Sequence, residues 1–177
     1  MKQLPNLLSA GRLAVAPYVF YLLAAREYRA VLIWFGIAGL SDALDGWLAR
    51  RFDAQSALGE MLDPVADKVL LSGSFLILAL TGGAPVWLAA LVMGRDAAIL
   101  LFALWGLLFT KTRRSFPASG WGKLSTAAQI VFVVAAVAQL AGYVDRRVVL
   151  VLVGLTAALT AWSGLDYARR ALAQRVI

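Results

Sequence analysis

The chain has 177 residues, 62% of them hydrophobic and only 15% charged, with a mean hydropathy of +0.78 and a net charge of +7. Soluble domains carry roughly 25% charged residues, so the composition argues for a chain built for lipid over a soluble helical protein with an oily core. Cysteine and histidine are absent, which excludes disulfide staples, Cys/His zinc sites and histidine bases, and leaves oxygen-ligated magnesium, manganese or calcium as the metals open to it.

Six apolar stretches, near 8–25, 30–48, 61–80, 85–108, 124–143 and 147–166, are long enough to cross or nearly cross a bilayer at about 1.5 Å per residue. The expected fold is therefore all-α: a polytopic membrane protein, a six-transmembrane-helix bundle forming a single domain over residues 1–177. Arg12 interrupts the first stretch, which argues against a cleaved signal peptide and predicts a short N-terminal interfacial helix leading into the first span. Short connections with turn residues follow, such as Thr81-Gly82-Gly83 and the stretch from Pro117 to Gly120.

Basic residues alternate between the connections. Lys2, Arg12, Arg50, Arg51, Lys111, Arg113, Arg114, Lys123, Arg169, Arg170 and Arg175 fall on one side, against Arg26, Arg29, Arg146 and Arg147 on the other. The positive-inside rule then places both termini in the cytoplasm, with the junction of spans two and three opening to the cytoplasmic leaflet. The +7 charge is explained by this rule and by anionic headgroups more simply than by nucleic acid, and no nucleic-acid partner is expected.

At that junction stand Asp42, Asp45, Asp63 and Asp67. A carboxylate near hydrocarbon costs several kcal/mol (on the order of 3) unless it meets a cation, a partner or water. Asp42, Asp45 and Ala49 share one helical face at i, i+3 and i+7, and Asp63 and Asp67 share a face on the next segment. A short basic turn at Arg50-Arg51 would let the two segments run antiparallel with these faces opposed. Without cations four such groups would repel and take up protons; with one or two divalent ions they become ligands. Interfacial caps and salt bridges are the plainer alternative. Gly46 and Ala49 leave the face bare for a ligand, or serve small-residue helix packing.

The segment from Asp42 to Asp67 fills an Asp-x2-Asp-Gly-x2-Ala-Arg-x8-Gly-x3-Asp-x3-Asp pattern through Asp42, Asp45, Gly46, Ala49, Arg50, Gly59, Asp63 and Asp67. It resembles the signature of the CDP-alcohol phosphatidyltransferases without departure, and length and span count extend the likeness over the chain. The resemblance implies metal-dependent transfer of a phosphatidyl group from CDP-diacylglycerol to an alcohol, with release of CMP. It implies two Mg2+ or Mn2+ ions per site held by Asp42, Asp45 and Asp63. Asp67 would be the base, also touching metal. Gly46, Ala49, Arg50 and Gly59 would serve the nucleotide diphosphate. A homodimer is implied too, in a membrane such as the bacterial inner membrane with the site facing the cytoplasm. A divalent-cation transporter is the competing class; it accounts for the aspartates but not for Gly46, Ala49, Arg50 and Gly59.

The acceptor is read from other positions. Leu4-Pro5-Asn6-Leu7-Leu8-Ser9 with Arg12 and Pro17 resembles the opening of phosphatidylglycerophosphate synthases and of the CDP-alcohol type of cardiolipin synthase; helix capping by Asn6 or Ser9 is the alternative. Arg95-Asp96 lies inside span four, either as a buried structural ion pair or as an acceptor-phosphate site built by Arg95 with Lys123, to which Asn6 and Arg12 would contribute. Phosphatidylglycerophosphate synthases resemble this chain less here: they show Arg-Glu, a further arginine, and a second lysine where Ser125 stands. Fewer cations suit the single charge of phosphatidylglycerol, so the expected product is cardiolipin, with glycerol-3-phosphate as the alternative acceptor. Ser163, Asp166, Tyr167 and Arg169 are expected only to close and anchor the bundle, and the Lys111, Arg113, Arg114 run to face anionic headgroups.

Overall fold

A computed structural model describes residues 4–52, 57–109 and 120–173, with side chains described over 14–41, 68–101 and 120–170. Among the described residues six helices follow one another: α1 (Leu4–Ala24), α2 (Tyr28–Phe52), α3 (Ala57–Leu80), α4 (Val86–Phe109), α5 (Gly120–Leu140) and α6 (Arg146–Ala173). There is no strand among the described residues.

Two helix boundaries differ from the sequence expectation. The interfacial helix is not a separate element, because α1 runs unbroken from Leu4 through Arg12 to Ala24. A single arginine is a good helix former and interrupts hydropathy without interrupting the backbone. For the same reason α2 carries Arg50 and Arg51 within the helix and ends at Phe52, so neither residue forms a turn.

Three helices end alike. After α1, Arg26 N–H donates to Leu23 O and Glu27 N–H to Leu22 O; after α5, Gly142 N–H donates to Gln139 O and Tyr143 N–H to Ala138 O; after α3, Gly83 N–H donates to Leu78 O. The residue that reverses the chain has φ of 62° at Arg26, 82° at Gly82 and 86° at Gly142. This left-handed cap satisfies carbonyls that the helix itself leaves open, and glycine takes it without steric cost. Only at Arg26 does a side chain bear that conformation. At the next start, Asp145 Oδ1 accepts from Arg147 N–H at 2.7 Å, capping α6.

The chain divides into two compact units, residues 1–84 with 133–144, and residues 85–132 with 145–177. In the first, α1 packs against both α2 and α3. Its core is a continuous apolar seam: Ala16, Val19 and Leu23 from α1, Val31 from α2, and Leu71, Phe75 and Leu78 from α3 are buried. The spacing follows the helical repeat, which is why one stripe of each helix is covered. Tyr18 meets Trp34 edge to face at 5.5 Å, and Arg29 lies over the Tyr143 ring at 5.9 Å.

The second unit is built differently. Helix α4 packs on α6, and α5 meets α6 through polar side chains. Ser125, Gln129, Thr156, Thr160 and Ser163 are all fully buried. Ser125 Oγ and Thr160 Oγ1 lie 3.3 Å apart, the Gln129 amide donates to both at 3.3 Å, and Thr156 donates to Ala128 O at 3.4 Å. Small hydroxyl residues let two helix backbones approach closely, and their hydrogen bonds hold the register. Thr160→Val is therefore expected to lower stability by about 0.5–2 kcal/mol, because Ser125 and Gln129 each lose a buried partner. Thermal unfolding in detergent micelles reads it; an unchanged midpoint would mean that the cluster contributes nothing to the packing.

Among the described residues, Gly120–Leu140 and Arg146–Arg170 are long and apolar enough to cross a bilayer. Shorter apolar stretches run over Ala14–Ala24, Tyr28–Ser41 and Lys68–Leu80. Ile130, Val131, Leu150, Val151, Leu155 and Leu165 stand exposed on α5 and α6.

Candidate active site

The sequence pattern from Asp42 to Asp67 falls on two helices of the first unit. Asp42, Asp45, Gly46, Ala49 and Arg50 occupy the C-terminal part of α2, and Gly59, Asp63 and Asp67 the N-terminal part of α3. Both pairs keep helical spacing, three residues on α2 and four on α3, so each pair has its Cα atoms on one side of its helix. Helix α1 is the shared packing partner of α2 and α3. The side chains of these residues, and of Asn6 and Arg12 on α1, lie outside the described ones, as do Lys111, Arg113 and Arg114 altogether. The donor set itself is four carboxylates with no sulfur or imidazole, which suits a hard cation such as Mg2+ or Mn2+.

One close approach between α1 and α3 depends on a glycine. A Cβ built on Gly73 would stand 2.2 Å from Cζ of Phe20, so the ring of α1 occupies the space that any side chain at position 73 would need. Gly73 sits six residues beyond Asp67 on the same helix.

The second unit holds the other candidate residues. Arg95 of α4 is buried: its side chain is 7% exposed and that of Asp96 is 10%. Nη1 donates to Asp96 Oδ1 at 2.7 Å and Nη2 to Ser163 Oγ of α6 at 2.5 Å. The Tyr167 ring flanks the guanidinium at 5.6 Å. From α5, Gly122 comes so close that a Cβ there would lie 3.3 Å from both Nη2 and Tyr167 Oη. Lys123, the next residue, is exposed. The backbone thus brings Lys123 beside the arginine, while the two side chains occupy different environments.

Ser125 does not line this arginine. It is fully buried in the α5–α6 cluster with Thr160 and Gln129. What sequence reasoning missed is the part played by α6, where Ser163 and Tyr167 both reach Arg95. Their spacing of four residues, next to Gly164, was the available signal: a polar group and an aromatic ring on one helical face beside a site of close approach. Trp121 and Trp162, edge to face at 5.9 Å, fasten the start of α5 to the same part of α6.

Comparison with known proteins assigns this architecture. Residues 2–162 match the CDP-alcohol phosphatidyltransferase family. Cardiolipin synthase (CMP-forming) of Rattus norvegicus is 42% identical over 98 residues, 55% of this chain and 32% of the rat protein. CDP-diacylglycerol–glycerol-3-phosphate 3-phosphatidyltransferase of Pseudomonas fluorescens is 32% identical over 179 residues, 95% of this chain and 89% of that protein. A probable phosphatidylglycerophosphate synthase of Mycobacterium tuberculosis is 31% identical over 175 residues, 96% of this chain and 81% of that protein. The match covers about a third of the rat protein's length and most of each of these two bacterial relatives. The chain belongs to the CDP-alcohol phosphatidyltransferase family.

Proposed function

We propose that the chain is an integral membrane enzyme that transfers a phosphatidyl group from CDP-diacylglycerol to an alcohol and releases CMP. The observation that carries this reading is the family match over residues 2–162, with the full eight-position pattern on α2 and α3. The whole chain acts as one catalytic domain, its six helices crossing the bilayer. Two apolar helices and their exposed aliphatic side chains support the membrane setting, which we place in a bacterial inner membrane with the site toward the cytoplasm. A homodimer is the expected assembly.

In this reading Asp42, Asp45 and Asp63 hold two divalent ions, with Asp67 beside them. Such ions, when bound, neutralise the diphosphate and stabilise the departing phosphate of CMP. Asp67 takes the proton from the acceptor hydroxyl as its oxygen bonds to the phosphorus that carries diacylglycerol, and the bond from that phosphorus to CMP breaks. Arg50 binds the nucleotide phosphates, and Gly46, Ala49 and Gly59 keep the helix faces bare for it. Arg95 holds the acceptor's phosphate, with Lys123 supplying a further donor.

For the acceptor we favour phosphatidylglycerol, giving cardiolipin. Asp96 offsets the charge of Arg95, and a monoanionic phosphodiester suits the remaining charge. Glycerol-3-phosphate is the second reading, favoured by the two bacterial relatives that align over 95% and 96% of this chain. Purified protein with CDP-diacylglycerol and Mg2+ is given each acceptor in turn and the lipid product identified. Cardiolipin and CMP are expected, with activity lost in EDTA and restored by Mg2+ or Mn2+. Phosphatidylglycerophosphate as sole product would overturn the acceptor, and no CMP from either acceptor would overturn the activity.

A further inference from the structure

We infer that Ser163 and Tyr167 of α6 are positioning residues for Arg95, setting the plane in which its guanidinium meets the acceptor's anionic group. The inference rests on the reading of Arg95 as an acceptor-binding residue. It starts from an imbalance at Arg95. A guanidinium carries five N–H donors in one rigid plane. One from Nη1 goes to Asp96 and one from Nη2 to Ser163, while Nε is buried with no hydrogen-bond partner among the described residues.

A cation held for packing alone is poorly explained by this arrangement. Removing an ion pair from water costs more than the pair returns unless the remaining donors are satisfied, so a purely structural arginine at 7% exposure should have its donors filled. Here the donors are only part-filled and the plane is fixed from three helices. Asp96 fixes one end from α4, Ser163 fixes the other from α6, and the Tyr167 ring flanks the group. Gly122 of α5 supplies the remaining wall, at a distance where even a methyl group would press on Nη2. An arginine pre-oriented in this way loses little freedom when an oxyanion arrives, and its planar fork gives that anion a defined direction of approach.

The full-length protein in mixed micelles, with CDP-diacylglycerol and Mg2+, reads the idea through a split of kinetic constants. Phosphatidylglycerol and glycerol-3-phosphate are each titrated as acceptor. Ser163→Ala should raise the acceptor KM about tenfold, the loss expected for one hydrogen bond to a charged group. Tyr167→Leu should raise it about threefold, as expected for a removed ring beside a cation. The KM for CDP-diacylglycerol should not move, and Ser163→Thr and Tyr167→Phe, which keep the hydroxyl and the ring, should restore the acceptor KM. Should Ser163→Ala fail to accumulate, Ser163→Cys, close in volume and a weak acceptor, carries the same test. An equal loss toward both substrates with a lower unfolding temperature would overturn the inference and leave a packing role. So would an unmoved acceptor KM in the Ser163 variants where Arg95→Lys raises it. If Arg95→Lys itself leaves the acceptor KM unmoved, Arg95 does not bind the acceptor, and both that assignment and the inference fall.

Discussion

Asp67→Asn is expected to lower phosphatidyl transfer by about two to four orders of magnitude, the usual worth of a positioned base, while metal-dependent binding of CDP-diacylglycerol survives. Asparagine keeps the shape of aspartate and an oxygen that can face a cation, but it takes up no proton at neutral pH. The other three aspartates of the pattern remain to hold the ions, so the donor is still captured. Asp63→Asn, by contrast, removes a charged ligand and should weaken binding and turnover together. The comparison of the two variants separates the roles: CDP-diacylglycerol binding is measured by equilibrium titration with and without Mg2+, and transfer by CMP release. Full activity in Asp67→Asn would remove it as the base. Loss of donor binding to the same degree as in Asp63→Asn would make it a metal ligand only.

The second large effect is structural and changes sign with its background. Alanine at a helical glycine ordinarily stabilises by about 1 kcal/mol, through reduced freedom in the unfolded chain. At Gly73 the new Cβ would meet the Phe20 ring at 2.2–2.9 Å, so α3 must lift from α1 or the ring must turn out of its place. Overpacking of that kind costs about 1–3 kcal/mol, so Gly73→Ala should be neutral to clearly destabilising. With Phe20→Ala already present the obstruction is gone, and the same substitution should stabilise. A double-mutant cycle on thermal unfolding in micelles checks it. Additive effects would mean that the ring yields freely and that this contact does not seat α3. Because Asp63 and Asp67 ride on the same helix, the single variant should also lose transfer activity, and the double variant should regain part of it.

Much of this was legible before any coordinates. Existence of the six helices follows from apolar runs long enough to cross a bilayer, and the end of α3 from Thr81-Gly82-Gly83, whereas the caps at Gly142 and Asp145 were found only in the structure. The boundaries at Arg12 and at Arg50-Arg51 were misplaced because hydropathy reports where lipid or core is wanted, whereas backbone continuity depends on helix propensity, which arginine satisfies. The aspartate pattern was legible for a related reason. Its residues lie within two adjacent helices, so their spacing along the chain fixes their angular positions on each helix.

The region around Arg95 was only half legible. That an arginine and an aspartate stand together in an apolar helix is visible in the sequence, and the family match places the chain in its family. Which groups complete the arginine is a matter of long-range packing: Ser163 lies 68 residues away, and Gly122 approaches the guanidinium so closely that a Cβ there would lie 3.3 Å from Nη2. The same holds for Ser125, whose burial against Thr160 and Gln129 no local pattern announces. By itself the sequence determined the helices, the carboxylate set and the family, since each is written in short-range spacing. The tertiary structure alone showed that Ser163 and Tyr167 of α6 reach Arg95 and that the Phe20 ring fills the space over Gly73, because such contacts depend on how helix faces meet across chain separations that no periodicity encodes.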